Sequence, residues 1–368
     1  MLVNSYFVPS FGNKPKELVG RDTEIRQFID GLLSPAGSRE RATLILGQRG
    51  YGKTVLLLEL AEQARKNGFI AASPTVTSNG MLERIVEKIQ EEGEEYTKSD
   101  TKLSGGNIGF LGFEFGLQFD REEQANKSFA YKLSKLCKAL EKEGKGVLIL
   151  VDEVQANNPD LKELIIAYQE LVGEGRNLAI AMAGLPKAIS GVLNDHVLTF
   201  LNRATKIELQ PLKSGDIEAF YNEAFYNIGI QISSDCIRRA VEAAQGSPYM
   251  MQLIGYYIIK FAGSNSGVNE KTIDNAIRAA ENDFLTDICK AALSAVSDVD
   301  LQFLQAMAED EGSSKMSDIA SRMHVSRDYA QRYKMRMIES GIVSQVRRGE
   351  VEYAVPYLKK YIRKLSEN

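Results

Sequence analysis

Through the first half of the chain, short uninterrupted apolar runs alternate with segments in which apolar residues return every three or four positions. The runs at 43–46, 69–72, 147–151 and 178–183 are short and unbroken, as strands buried on both faces are. The segments 22–33, 53–67, 81–91, 124–143 and 161–172 carry helical spacing. Alternation of this kind predicts an α/β core, a parallel sheet joined by crossover helices. Residues 105–120 interrupt it with FLGFEFGLQF, an alternating stretch that predicts a β-hairpin insertion. After about residue 210 strand signals stop, and 235–244, 248–261 and 270–284 predict a small helical subdomain. From about residue 298 the pattern gives helices, a turn, a long helix and a hairpin over 342–355, the order of a winged helix-turn-helix. The expected organisation is a core over 1–210, a helical lid over 211–292 and a winged helix-turn-helix over 293–368.

Composition narrows the class. The 368 residues are 44% hydrophobic and 26% charged, too apolar for a disordered chain, and no repeat or low-complexity tract suggests a solenoid. Cys137, Cys236 and Cys289 are few and scattered, which suits a reducing cytosol. The first residues lack a basic-then-apolar signal pattern, and the longest apolar stretch, 249–263, is interrupted by Gln252 and Lys260. A cytoplasmic protein with no membrane partner is expected.

The glycines add chemistry. The run 43–46 leads straight into Gly47-Gln48-Arg49-Gly50-Tyr51-Gly52-Lys53-Thr54 and then into the apolar helix that begins at Val55. This is G-x-x-x-x-G-K-[ST] in its required setting, a glycine loop between strand and helix. Glycine lets successive backbone N–H groups turn inward on phosphate oxygens, and the helix N-terminus adds its positive dipole end. Lys53 is placed to reach the β- and γ-phosphates of ATP, and Thr54 to ligate Mg²⁺. The strand at 147–151 ends in Asp152-Glu153, two acids at the sheet edge where α/β proteins bind ligands. Asp152 is expected in the Mg²⁺ shell and Glu153 as the group that orients or deprotonates the attacking water. Read alone, the loop turns a strand into a helix and the acids begin a solvated loop; together they predict a P-loop NTPase.

With those residues in place, the sequence resembles the AAA+/STAND P-loop ATPases, and among them bacterial and archaeal ATP-binding proteins related to the origin-recognition ATPases. Leu18-Val19-Gly20-Arg21-Asp22-Thr23-Glu24 resembles the hhGRxxE motif, which implies a place for Gly20, Arg21 and Glu24 beside adenine. Gly246-Ser247-Pro248 resembles the GxP motif of the lid, which implies that Gly246 and Pro248 pack over the nucleotide, although Pro248 also suits a first helical position. Arg203 falls where relatives carry an arginine that senses the γ-phosphate; it reads equally as a surface arginine in a loop before a strand at 206–209. Two positions depart from the family pattern. Ala183-Gly184-Leu185 stands where many AAA+ enzymes place a polar sensor, and the Met250-Met251 region replaces the usual lid arginine. The resemblance, so modified, implies a slow ATP-hydrolysing switch rather than a motor.

Charge changes the picture once more. The chain holds 45 Lys+Arg against 49 Asp+Glu, a formal net charge of −4, with a sequence pI of about 5.6. Yet 322–364 holds eleven basic and four acidic residues, a local +7 that leaves −11 for the rest. Within it, Ala330, Tyr333, Met337 and Ile338 recur at helical spacing as an inward face, leaving Arg327, Gln331, Lys334 and Arg336 outward with Arg332 nearby. Ser326 precedes that helix, and Arg347 and Arg348 sit at the hairpin tip. These eight residues are the expected contacts to double-stranded DNA, the helix to the major groove and the tip to phosphates. The alternative is an ATP-binding regulator or scaffold with little hydrolysis, whose winged helix docks a protein. A protein partner or a homo-oligomer fits either reading.

Overall fold

Side chains of neighbouring residues on a strand point to opposite faces, so an unbroken apolar run must be covered on both sides. The computed structural model, which describes residues 6–10, 14–103, 127–263, 267–294 and 296–366, shows this arrangement. Its first part runs α1 (Asp22–Leu32), β1 (Ala42–Leu46), α2 (Lys53–Lys66), β2 (Phe69–Ala71), β3 (Thr75–Val76), α3 (Met81–Leu103), α4 (Phe129–Lys142), β4 (Gly146–Asp152), α5 (Pro159–Gly173), β5 (Leu178–Gly184), α6 (Pro186–Leu193) and β6 (Thr205–Glu208). The strands form one parallel sheet in the order β2-β4-β5-β1-β6, with β3 also on β4. Ile45, Leu148 and Leu150 pack with Phe28, Leu32, Leu56, Leu57 and Leu60 on the face covered by α1 and α2. Leu44, Val147 and Ile149 pack on the opposite face with Met81, Leu133, Leu136, Leu161 and Leu164, from α3, α4 and α5.

Most element ends fall within a residue or two of the expected ones, and the larger differences have local causes. Helix α5 starts earlier than 161 because the Asn158 side chain accepts from Leu161 N–H and Pro159 occupies the first turn. The Ser128 side chain caps α4, whereas 124–126 and the hairpin expected over 105–120 lie outside the described residues. Helix α3 continues past the expected end at 91.

The second part contains α7 (Ser214–Ile228), β7 (Gln231–Ile232), α8 (Ser234–Ala244), α9 (Pro248–Ala262), β8 (Gly267–Val268) and α10 (Glu270–Phe284). A π-helical turn, Leu285–Cys289, follows and leads into α11 (Lys290–Leu293). The expectation that strands end near 210 is corrected here. β7 and β8 pair in parallel, and two-residue strands are too short to leave a periodic signal.

The last part runs α12 (Asp298–Ala308), β9 (Ser314–Lys315), α13 (Met316–Arg322), α14 (Arg327–Glu339), β10 (Val343–Arg347), β11 (Glu350–Tyr353) and α15 (Leu358–Ser366). Its sheet is antiparallel in the order β10-β11-β9. His324 makes the turn between α13 and α14 with φ 54°, a conformation that Val325 N–H secures by donating to Ala320 C=O. Buried residues of this part and of α7–α10 form one continuous cluster. Tyr357 joins the two, donating from its hydroxyl to Ala243 C=O at 2.6 Å.

Candidate functional site

Registers bring the two chemical segments to one edge. Leu46 of β1 pairs with Gly184 of β5, and Val151 of β4 pairs with Met182, so Gly47 and Asp152 leave the sheet at the same C-terminal side with β5 between them. Gly50 and Gly52 take φ of 78° and 81°, the left-handed conformation that the turn from strand into α2 requires. Across the gap, the Thr54 hydroxyl donates to Asp152 Oδ2 at 2.5 Å, and Asp152 is buried. A hydroxyl and a carboxylate in contact are two hard oxygen donors, the set that Mg²⁺ takes from a protein while phosphates and water complete its octahedron. Among the described residues no cluster of three metal-ligating side chains competes with it.

Lys53 donates from Nζ to Gly47 C=O and Gln48 C=O, both at 2.8 Å. Burial pushes its ammonium down to about 8, against the pull of Asp152. Glu153 is exposed and has φ 50°, unusual for a side chain of its size, while its N–H donates to Asp152 Oδ1 at 2.8 Å. Such strain at a strand end is characteristic of functional positions.

These groups open on a cavity of about 580 Å³, within the range of small-molecule sites. Of the expected residues, Arg21, Arg49, Gly50, Tyr51, Gly52, Lys53, Thr54, Val55, Asp152, Glu153 and Pro248 line it. Arg21 is held by Gln210 C=O at 2.9 Å and by Glu24, and burial lowers its pKa. Gly20, Glu24, Gly47, Gln48 and Gly246 are not in the lining. Gly246 instead ties the segment after β6 to the turn before α9. Leu212 N–H donates to its carbonyl, and a Cβ there would come within 2.7 Å of Pro211. Arg203 is also outside the lining, exposed at the end of a short 3₁₀ turn, Thr199–Arg203.

Sequence reasoning missed the side of the cavity formed by α9 and the π-helical turn. Tyr249, Met251, Gln252, Asp287 and Ile288 line it, as do Val8, Pro9 and Leu212, whereas Leu18 and Val19, also in the lining, belong to the hhGRxxE stretch. Tyr249 and Met251–Gln252 directly follow Pro248, so the GxP motif was the available signal. Asp287 lies in the π-helical turn and accepts from the Tyr249 hydroxyl at 2.7 Å, and burial together with that bond raises the tyrosine's pKa. Val8 is far away in sequence and had no signal.

Of the residues expected to meet DNA, Ser326, Arg327, Gln331, Arg332, Arg336, Arg347 and Arg348 are exposed. One placement is corrected. Lys334 is buried and donates to Gln345 Oε1 at 2.6 Å, because β10 covers that side of α14. Arg336, though exposed, binds Asp300 through Nε at 3.0 Å and Ser297 through its terminal nitrogen at 3.2 Å, which ties α14 to the start of α12. Tyr333 is only partly buried and donates to the Tyr329 hydroxyl. Arg347 is exposed but paired with Glu350.

Residues 17–180 match the family model described as AAA ATPase domain, and residues 286–362 match that of a domain of unknown function, DUF8462. No curated protein matches the chain. Among solved structures it is similar to a Walker-type ATPase of Pyrococcus abyssi, at 16% identity and a TM-score of 0.66, covering 95% of this chain and 97% of that one. It is also similar to the ORC2 protein of Aeropyrum pernix in its ADPNP-ADP complexes, at 15% identity, a TM-score of 0.65 and 98% of both chains. These matches support an AAA-type P-loop ATPase core. At such identity the likeness to the solved structures is one of fold. No helix among the described residues is long and apolar enough to cross a membrane.

Proposed function

We propose that the chain binds ATP with Mg²⁺ in this cavity and hydrolyses it slowly, as a nucleotide-controlled switch whose C-terminal module is a winged helix that binds double-stranded DNA. The contact of Thr54 with Asp152, beside Glu153 and Lys53, is the observation that carries the reading. Thr54 and Asp152 would hold Mg²⁺, which neutralises charge on the phosphates. Lys53 binds phosphate oxygens once it exchanges its bonds to Gly47 and Gln48 for them. Glu153, exposed at the cavity, orients and deprotonates water. Arg203, away from this cavity, would act only on a neighbouring copy's nucleotide. The division into core, lid and winged helix at about 210 and 292 belongs to the same reading.

Turnover of the wild type, Lys53→Ala and Glu153→Gln tests the enzyme. Loss of binding in the first variant and retained binding without turnover in the second are expected; equal background rates in all three would leave a scaffold. ATP and ADP complexes with the same lid position would overturn the switch.

The exposed Arg327, Gln331 and Arg332 on one end of α14 favour DNA. Exposed Tyr329 and Met335 on the same helix favour the second reading, a docked protein. Duplex binding that weakens with salt and with Arg332→Ala separates them.

A further inference from the structure

Val8, Pro9, Leu18, Val19 and Met251 give the cavity an apolar wall of the kind that holds a flat base. Gln252 of α9 joins that wall and is only 7% exposed. Its Oε1 accepts from Val8 N–H at 2.8 Å. A backbone N–H only donates, so this bond fixes which end of the amide is which. Nε2 is the other end, and it is buried without a hydrogen-bond partner. Native proteins rarely leave a buried amide donor unmade, because the lost water is not replaced.

Gln252 is also held in place. Phe7, next to Val8, is buried in the lid core among Phe220, Tyr221 and Phe225, with ring centroids at 5.5, 5.9 and 5.3 Å. It lies so close to Gly255 that a Cβ there would meet its ring at 2.1 Å. The segment from Phe7 to Pro9 is thereby anchored on the lid, and the amide is oriented before any ligand arrives.

We infer that Gln252 is a base-recognition residue, whose Nε2 donates to a ring nitrogen of adenine. This rests on the nucleotide reading of the cavity and adds the group that recognises the base. With Oε1 engaged by Val8, Gln252 offers the base only a donor. The ligand must therefore present an acceptor, and N1, N3 and N7 of adenine all qualify.

Gln252→Glu keeps the acceptor for Val8 and removes the donor. Calorimetry with magnesium and ATP, 1-deaza-ATP, 3-deaza-ATP, 7-deaza-ATP or inorganic triphosphate reads the effect. The variant is expected to bind ATP about tenfold more weakly and triphosphate unchanged. One deaza analogue is expected to bind the wild type about tenfold more weakly than ATP, and to lose nothing further on the variant. Equal affinity of the wild type for ATP and all three analogues overturns the inference, and that arm decides even if the variant does not fold. A variant that weakens ATP and triphosphate alike also overturns it, since Gln252 would then only anchor the Phe7 segment. A wild type that binds neither ATP nor triphosphate overturns the nucleotide reading itself.

Discussion

The side chain of Gln48, second residue of the phosphate loop, packs so closely on Gly341, the residue that ends the turn after α14, that a Cβ on Gly341 would come within 1.9 Å of Gln48 Oε1. That oxygen is buried and has no hydrogen-bond partner. Nearby, the Tyr51 hydroxyl reaches Ala354 C=O at 3.4 Å, and Lys187 pairs with Glu339 at 3.7 Å. The C-terminal module thus rests on the loop that is expected to move when phosphates displace Lys53 from Gly47 and Gln48.

Gly341→Ala should loosen this seat. Gly341 has φ 72°, so alanine costs about 1 kcal/mol in backbone strain, and overpacking against Gln48 adds about 1–3 kcal/mol. Thermal unfolding should show the loss. Gln48→Ala in the same chain should recover the overpacking part and leave the strain, a coupling read by the double-mutant cycle.

Nucleotide affinity should depend on pH through Lys53. Its pKa in the free protein is pushed down to about 8, and phosphates bind the ammonium, so affinity should fall by up to tenfold per unit above about pH 8. The sign for stability is opposite. Between about 8 and the ordinary 10.5 the unfolded chain holds the proton that the folded one has lost, so stability of the free protein should rise with pH across that window. Calorimetry at pH 7, 8 and 9 and denaturant unfolding at pH 8 and 10 check the two.

Arg336→Ala should cost stability rather than a DNA contact. Asp300 is raised by burial but held below its ordinary 3.8 overall, by Arg336 and Ser297. The pair's contribution is complete above that value and fades as pH falls through the lower folded one. Arg336 is nearly half exposed, so the loss expected at pH 7 is about 1 kcal/mol. A melting temperature unchanged from wild type at pH 7 would contradict it.

Arg332→Ala should do the reverse. Its side chain is exposed on α14, so the melting temperature should hold while duplex affinity drops. Loss of one major-groove contact should cost about 1–3 kcal/mol of duplex affinity and relax the sequence preference at that position.

The phosphate loop and the acid pair were legible because each is a continuous stretch whose chemistry depends on its own spacing, with the strand before it and the helix after it visible as pattern. The same holds for α9 and α14, whose apolar residues repeat over several turns. Lys334 shows the limit. Its spacing on α14 is that of an outward residue, and only the strand β10, folded back over the helix, buries it. Periodicity reports which face of one helix is apolar, not which neighbour covers the other side.

The amino-acid sequence by itself determined the parallel core, the glycine loop with Lys53 and Thr54, the acids at 152 and 153, and the basic C-terminal segment, since local spacing and backbone freedom carry them. Tertiary structure alone decided the contact of Val8 with Gln252 at the cavity and the seat of the C-terminal module. Val8 meets Gln252, and Gln48 meets Gly341, across hundreds of residues. Such contacts follow from how separately folded surfaces pack, and that packing has no period to read along the chain.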